Sequence, residues 1–157
     1  MVQVNDGRTA EKDPHVIERQ TWLRAAVLVG MIYFAVAFAS AALAGPSVSA
    51  SMRVFWRWSA FVVSAVVFGA HIAYEHARPG NPARRTAWHA SVAAAIGGFA
   101  LALAANAHDL GSATGYRPRM LIALAAWPLL TAVPAFVVAL VVATGLGLKR
   151  SATDRQP

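Results

Sequence analysis

Few side chains in this sequence could do chemistry, and the densest group of them is the run His71-Ile72-Ala73-Tyr74-Glu75-His76. His71 and Glu75 are four apart, so on a helix they share one face. His89 follows after a turn-forming stretch, Pro79-Gly80-Asn81-Pro82. If the chain folds back on itself near Asn81-Pro82, Glu75 and His89 come to nearly the same depth, with His71 about one turn deeper.

Three chemistries suit this trio. The simplest is an ion pair from Glu75 to His89, Arg78 or Arg85 that pins the two segments together. Two imidazoles and one carboxylate would also suit zinc or a similar ion. The spacing is not the His-Glu-x-x-His pattern of zinc proteases, however, and no second carboxylate is at hand for a two-metal site. Third, His71 and His89 could ligate a b-type haem, provided that tilt absorbs their depth offset of about 4.5 Å at the helical rise. A proton relay or another ligand completes the range. The expectation is an ion pair and no cofactor.

A second polar group, Asn106, His108 and Asp109, should meet Arg57 at the opposite end of the same segments. An Arg57–Asp109 ion pair closing that end is expected there, with a small anion or metal site as the sharper alternative. Arg57 stands between Trp56 and Trp58, as suits an arginine whose stem lies in an apolar layer while its head reaches water.

Absences exclude much else. With no cysteine, thiol catalysis, Cys-ligated metals and disulfides are ruled out. Neither Gly97-Gly98 nor Gly145-Leu146-Gly147 has the lysine or strand context of a phosphate-binding loop. Ser59, Ser64 and Ser91 lack an acid and a base at recognisable spacing. Four-span proton-coupled exporters rely on an acid in their first helix, and Trp22 to Ala44 contains none. No enzymatic activity is expected.

The elements that must carry these residues are set by apolar content. Of 157 residues, 57% are hydrophobic and 13% charged, against about 45–50% and about 25% in soluble domains. The apolar residues fall into four runs, 22–44, 54–76, 87–107 and 120–148. Each can cover the roughly 30 Å of bilayer hydrocarbon as a helix, and helices satisfy their own backbone groups there. The sequence thus predicts an all-α membrane protein with four transmembrane helices in an antiparallel up-down bundle, folded as one domain over residues 14–148. Asp13-Pro14 reads as a helix cap followed by a first-turn proline, starting a short interfacial helix before the first span. A polar mobile tail, 1–13, and a basic tail, 149–157, flank the domain. Residues Met1 to Gln20 are too polar for a signal-peptide core, so all four helices are expected to be retained.

Cations give the orientation. Arg8, Lys12, Arg19, Arg24, Arg78, Arg84, Arg85, Lys149, Arg150 and Arg155 fall on the side of the termini, and only Arg53, Arg57, Arg117 and Arg119 fall on the other. The bias places both termini in the cytoplasm of a multi-pass protein, with the bacterial inner membrane as the expected location. The net charge of +7 is then matched to anionic lipid headgroups rather than to nucleic acid, for which no aromatic-plus-basic module is present.

Packing should follow the small residues. Ala90, Ala94, Gly98, Ala102 and Asn106, with Ala93 and Gly97 beside them, would let neighbours approach the third helix closely and put it at the centre. Shorter series are Ala37-Ala41-Gly45, Ala65-Gly69-Ala73 and Ala135-Ala139-Ala143-Gly147, in the first, second and fourth spans. Pro128 and Pro134 could kink the fourth helix, either as a purely structural feature or where a small transporter could place a substrate site. The leading functional expectation is a non-catalytic accessory subunit of a membrane assembly or homo-oligomer. Its rival is a ligand-binding protein built on His71, Glu75 and His89.

Overall fold

The computed structural model describes residues 14–78, 81–110 and 119–153. These form four helices: α1 (Pro14–Leu43), α2 (Ala50–Ala77), α3 (Ala83–Leu110) and α4 (Arg119–Thr153). Each contains a segment long and apolar enough to cross a membrane: Gln20–Leu43, Ala50–Ala77, Ala83–His108 and Leu121–Leu148. The shortest, at 24 residues, measures about 36 Å at the helical rise. The polar tail 1–13, with the expected cap at Asp13, and residues 154–157 of the basic tail lie outside the described residues.

Local chemistry explains the helix ends. Ser49 caps α2, its hydroxyl accepting from the Met52 amide at 3.3 Å. Arg53 folds back to donate to the Val48 carbonyl at 2.6 Å, tying down the short connection from α1. At the other end of α2, Arg78 is extended (φ −69°, ψ 131°), as a residue before proline must be. The Pro82 carbonyl then accepts from the amides of Arg85 and Thr86 and opens α3.

α3 is the central helix, with a third of its span buried against 11 to 17% in the others. It packs most broadly on α4, next on α1, and only lightly on α2. Two adjacent glycines serve its two main partners. A Cβ on Gly97 would lie 2.9 Å from Tyr33 Cβ and 3.1 Å from the Gly30 carbonyl of α1. One on Gly98 would lie 2.6 Å from Thr131 Oγ1 of α4. The contacts at 2.9 and 2.6 Å are closer than real Cβ atoms make, so α3 sits this near both neighbours because neither position carries a side chain.

Polar side chains fasten the α3–α4 seam. The Ser91 hydroxyl donates to the Ala132 carbonyl at 2.9 Å. Thr131 Oγ1 lies 3.0 Å from the carbonyls of Trp127 and Pro128 and 3.3 Å from that of Ala94. The α4 carbonyls engaged are those of Trp127, Pro128 and Ala132, whereas the amide hydrogens that Pro128 and Pro134 lack would have served Leu124 and Leu130. α4 nevertheless runs unbroken from residue 119 to 153.

The small-residue series divide. Ala90, Ala93 and Ala102 of α3 and Ala139 and Ala143 of α4 are buried. On α1, by contrast, the close contact is made by Ala26 and Gly30, while Ala41 is exposed. On α2, Ala65, Gly69 and Ala73 are all exposed, and a Cβ on Gly69 would meet nothing within 4 Å. Four-residue spacing identifies a stripe without fixing which way it faces: on α1, Ala37 and Ala41 border a cleft with Arg57 of α2 rather than the contact with α3, and on α2 all three positions are exposed.

Candidate functional site

Glu75 is the only acid within the four membrane-span segments, and its side chain has no solvent exposure. Its phase on α2 is set by Ile72, which packs against Ala87 and Ala90 of α3 and Ala139 and Ala143 of α4. With Ile72 seated there, His71 and Glu75 also turn inward; all three are buried. A bare carboxylate in such surroundings would be very costly, so its partners decide whether the fold is possible.

One oxygen is well provided for. His89 Nδ1 donates to Glu75 Oε2 at 2.6 Å, a short charge-assisted bond between α3 and α2. Asn81 Nδ2 reaches the same oxygen at 3.1 Å and the Glu75 backbone carbonyl at 3.1 Å. The turn residue thereby closes the end of α2 and orients its acid at once. The His89 ring is fixed from the other side by Trp22 of α1, stacked parallel at 4.6 Å between centroids and 1° between planes. Three helices thus meet through one imidazole.

The other oxygen is not provided for. Glu75 Oε1 is buried without a hydrogen-bond partner, and Arg78 Nη1 stands 3.8 Å away. That is ion-pair range but beyond a direct hydrogen bond, and a gap of this kind can hold a bridging water. Arg78 is itself drawn outward, its Nη2 donating to Tyr74 Oη at 2.9 Å and its guanidinium lying 4.9 Å from the Tyr74 ring centre. His71 Nε2, His76 Nδ1 and Thr86 Oγ1 are likewise buried with no partner. His71 lies within electrostatic reach of Glu75, His89 and Arg78.

The structure therefore brings His71, Glu75 and His89 together. Their arrangement is a hydrogen-bonded one: among the described residues, no three His, Asp or Glu side chains are grouped so as to hold a metal ion. His89 spends Nδ1 on Glu75 and one ring face on Trp22, which leaves Nε2 as its remaining ring nitrogen. Trp22, Asn81 and Thr86 join the site without a motif in the sequence that singles them out. Trp22 and His89 do both stand at the same end of their spans, and an Asn just past a helix end is a known local hydrogen-bonder; these were the available signals.

Of the second polar group, the side chains of Arg57, Asn106 and His108 are described. Arg57 is exposed and lines a small cleft with Ala37, Ser40 and Ala41 of α1. Asn106 donates to the Ala102 carbonyl of its own helix at 2.7 Å, and His108 is exposed. The expected ion pair from Arg57 turns on Asp109, whose side chain lies outside the described residues.

Compared with protein-family models, curated proteins and solved structures, the chain matches none.

Proposed function

We propose that the chain is an integral, multi-pass membrane protein that acts by binding rather than by catalysis, with a small hydrogen-bonding ligand held at the Glu75–His89 centre. Its four helices cross a cell membrane alternately up and down, and both termini face the cytoplasm. One observation carries the binding reading: Glu75 Oε1, His71 Nε2 and Thr86 Oγ1 are all buried at the same end of the bundle and all lack partners. Buried polar atoms are normally satisfied, and an ionisable residue within a span is a functional candidate by default. A small non-lipid molecule that both donates and accepts hydrogen bonds would complete them.

The protein purified in mild detergent should carry a small non-lipid mass under native mass spectrometry. Glu75→Ala, His71→Ala and His89→Ala should each remove it while leaving membrane insertion intact. A bare polypeptide mass for the wild type, with all three variants equally bare, would contradict the reading.

A second reading, an accessory subunit or homo-oligomer, draws on the exposed stripe Ala65-Gly69-Ala73. It lies on α2, which α3 and α4 hold only lightly. A partner helix could approach closely along such a stripe. Gly69→Leu should then dissociate a complex seen for the wild type by size-exclusion light scattering.

A further inference from the structure

We propose that the cleft at mid-height of the bundle is a binding site for one neutral, planar, lipid-soluble carbonyl compound, whose oxygen accepts a hydrogen bond from Tyr33. The proposal rests on the membrane-spanning reading and concerns residues apart from the Glu75 centre. Along α3, Gly97 lies eight residues from His89, about 12 Å at the helical rise. The cleft has a volume of about 570 Å³, within the roughly 300–1,000 Å³ usual for small-molecule sites. All four helices line it: Tyr33 on α1, Phe61 and Phe68 on α2, Gly97 and Gly98 on α3, and Pro134 on α4. Tyr33, Gly97 and Pro134 each stand near the middle of their spans, so the cleft faces hydrocarbon rather than headgroups or water.

The walls select the ligand. Phe61 of α2 and Leu130 of α4, 66% and 65% exposed, border the cleft, so it opens to lipid between two helices that pack only lightly on each other. A ligand entering there must be lipid-soluble. Among the described residues, no Asp, Glu, Lys, Arg or His lines the cleft, so a charged ligand would find no counterion. Phe61 and Phe68, seven apart on one helix face, offer rings, and Gly97 and Gly98 offer bare backbone; both kinds of wall suit a flat molecule. Hydrogen bonding narrows the class further. Thr131 Oγ1 is engaged by the carbonyls of Ala94 and Trp127, whereas Tyr33 Oη is buried without a partner although its ring borders the cleft. Ser64 of α2 adds a second hydroxyl to the wall. A water here would have these two hydroxyls and otherwise apolar surroundings, against about three partners for a typical buried water. Pure hydrocarbon would leave Tyr33 unpaired. A carbonyl brings an acceptor, with a lone pair for each hydroxyl, and no donor of its own. Tyr33 Oη is covered while the cleft is empty, and α2, which α3 and α4 hold only lightly, is the wall that yields to bring the two together.

The test follows the thermal midpoint of the purified protein in detergent against rising 2-acetylnaphthalene, a flat ketone. Its partner probe is 2-isopropenylnaphthalene, in which a methylene replaces the carbonyl oxygen at the same shape. Ligand linkage converts each shift to a dissociation constant. The expected result is saturable stabilisation by the ketone. Tyr33→Phe should weaken the ketone roughly three- to tenfold, the worth of one neutral hydrogen bond, and leave the hydrocarbon unchanged. Comparing one probe across variants cancels its partition into micelles. Because the hydroxyl has no partner in the empty protein, Tyr33→Phe should not lower the midpoint without ligand. Ala65→Trp, at an exposed position on the cleft wall, should weaken both probes, and Glu75→Gln neither. Absence of stabilisation by the ketone would overturn the proposal, as would ketone binding indifferent to Tyr33→Phe, which would make the cleft a groove for any hydrocarbon. So would indifference to Ala65→Trp, or loss on Glu75→Gln, either of which would put the ketone elsewhere. Alkaline carbonate extraction of membranes separates the underlying reading: release of the chain would overturn both, while an inserted chain whose ketone affinity ignores Tyr33 overturns the site alone.

Discussion

Glu75 has two carboxylate oxygens with different fates, and the difference can be measured. Oε2 is bonded by His89 and Asn81, while Oε1 is left to whatever completes the cluster. Glu75→Ala should cost about 1–3 kcal/mol, the usual penalty for orphaning a buried partner, and His89→Ala a similar amount. The double variant should cost less than the two single changes together, by a coupling of about 0.5–3 kcal/mol. Thermal unfolding in a fixed detergent checks this, and simple additivity would mean that the 2.6 Å bond is not formed. Trp22→Ala should remove a further ~0.5–1.5 kcal/mol beyond its loss of buried area, as stacked ring pairs do, whereas Trp22→Phe should keep most of it. The spacing of His71, Glu75 and His89 made the cluster legible in the sequence. The Trp22 stack was not legible, because it depends on the rotational phase of α1 about α3, which Gly30 and Gly97 set through a backbone approach far along the helix.

At the level of elements, the bundle is a central α3 with two firm neighbours and one loose one. Firmness tracks backbone approach, which gives a matched pair of substitutions. Gly98→Leu would force atoms into Thr131 and the Trp127 carbonyl and should destabilise by about 1–3 kcal/mol. Gly69→Leu meets open space and should leave the monomer's stability within about 0.5 kcal/mol, as surface substitutions do. Thermal midpoints in detergent compare the two directly; equal losses would mean that α2 packs inward along its small-residue stripe after all. Ser91→Ala should cost about 0.6 kcal/mol, the average for hydrogen bonds between helices in membranes. The long ridge on α3 was readable because Gly97 and Gly98 sit side by side and so present two faces. The stripe on α2 was less telling for the converse reason: a single row of small residues fits a neighbour and open space equally well.

For the molecule as a whole, the exposed apolar surface has to be explained. Ile122, Val141, Phe61 and Val66 are all about two-thirds exposed, an arrangement that water would penalise and lipid would not. Their positions on four long apolar helices, with arginines gathered near the helix ends, are what a bilayer crossing requires. Topology is therefore the central claim, and the absence of cysteine makes it directly testable. Single cysteines placed at Ser47, Asn81 and Ser151 would be probed in intact cells and in inverted vesicles with a membrane-impermeant maleimide. The account predicts labelling at Ser47→Cys from outside only, and at Asn81→Cys and Ser151→Cys from the cytoplasmic side only. Labelling of Asn81→Cys and Ser47→Cys from the same side would contradict it, because α2 would then not cross the membrane.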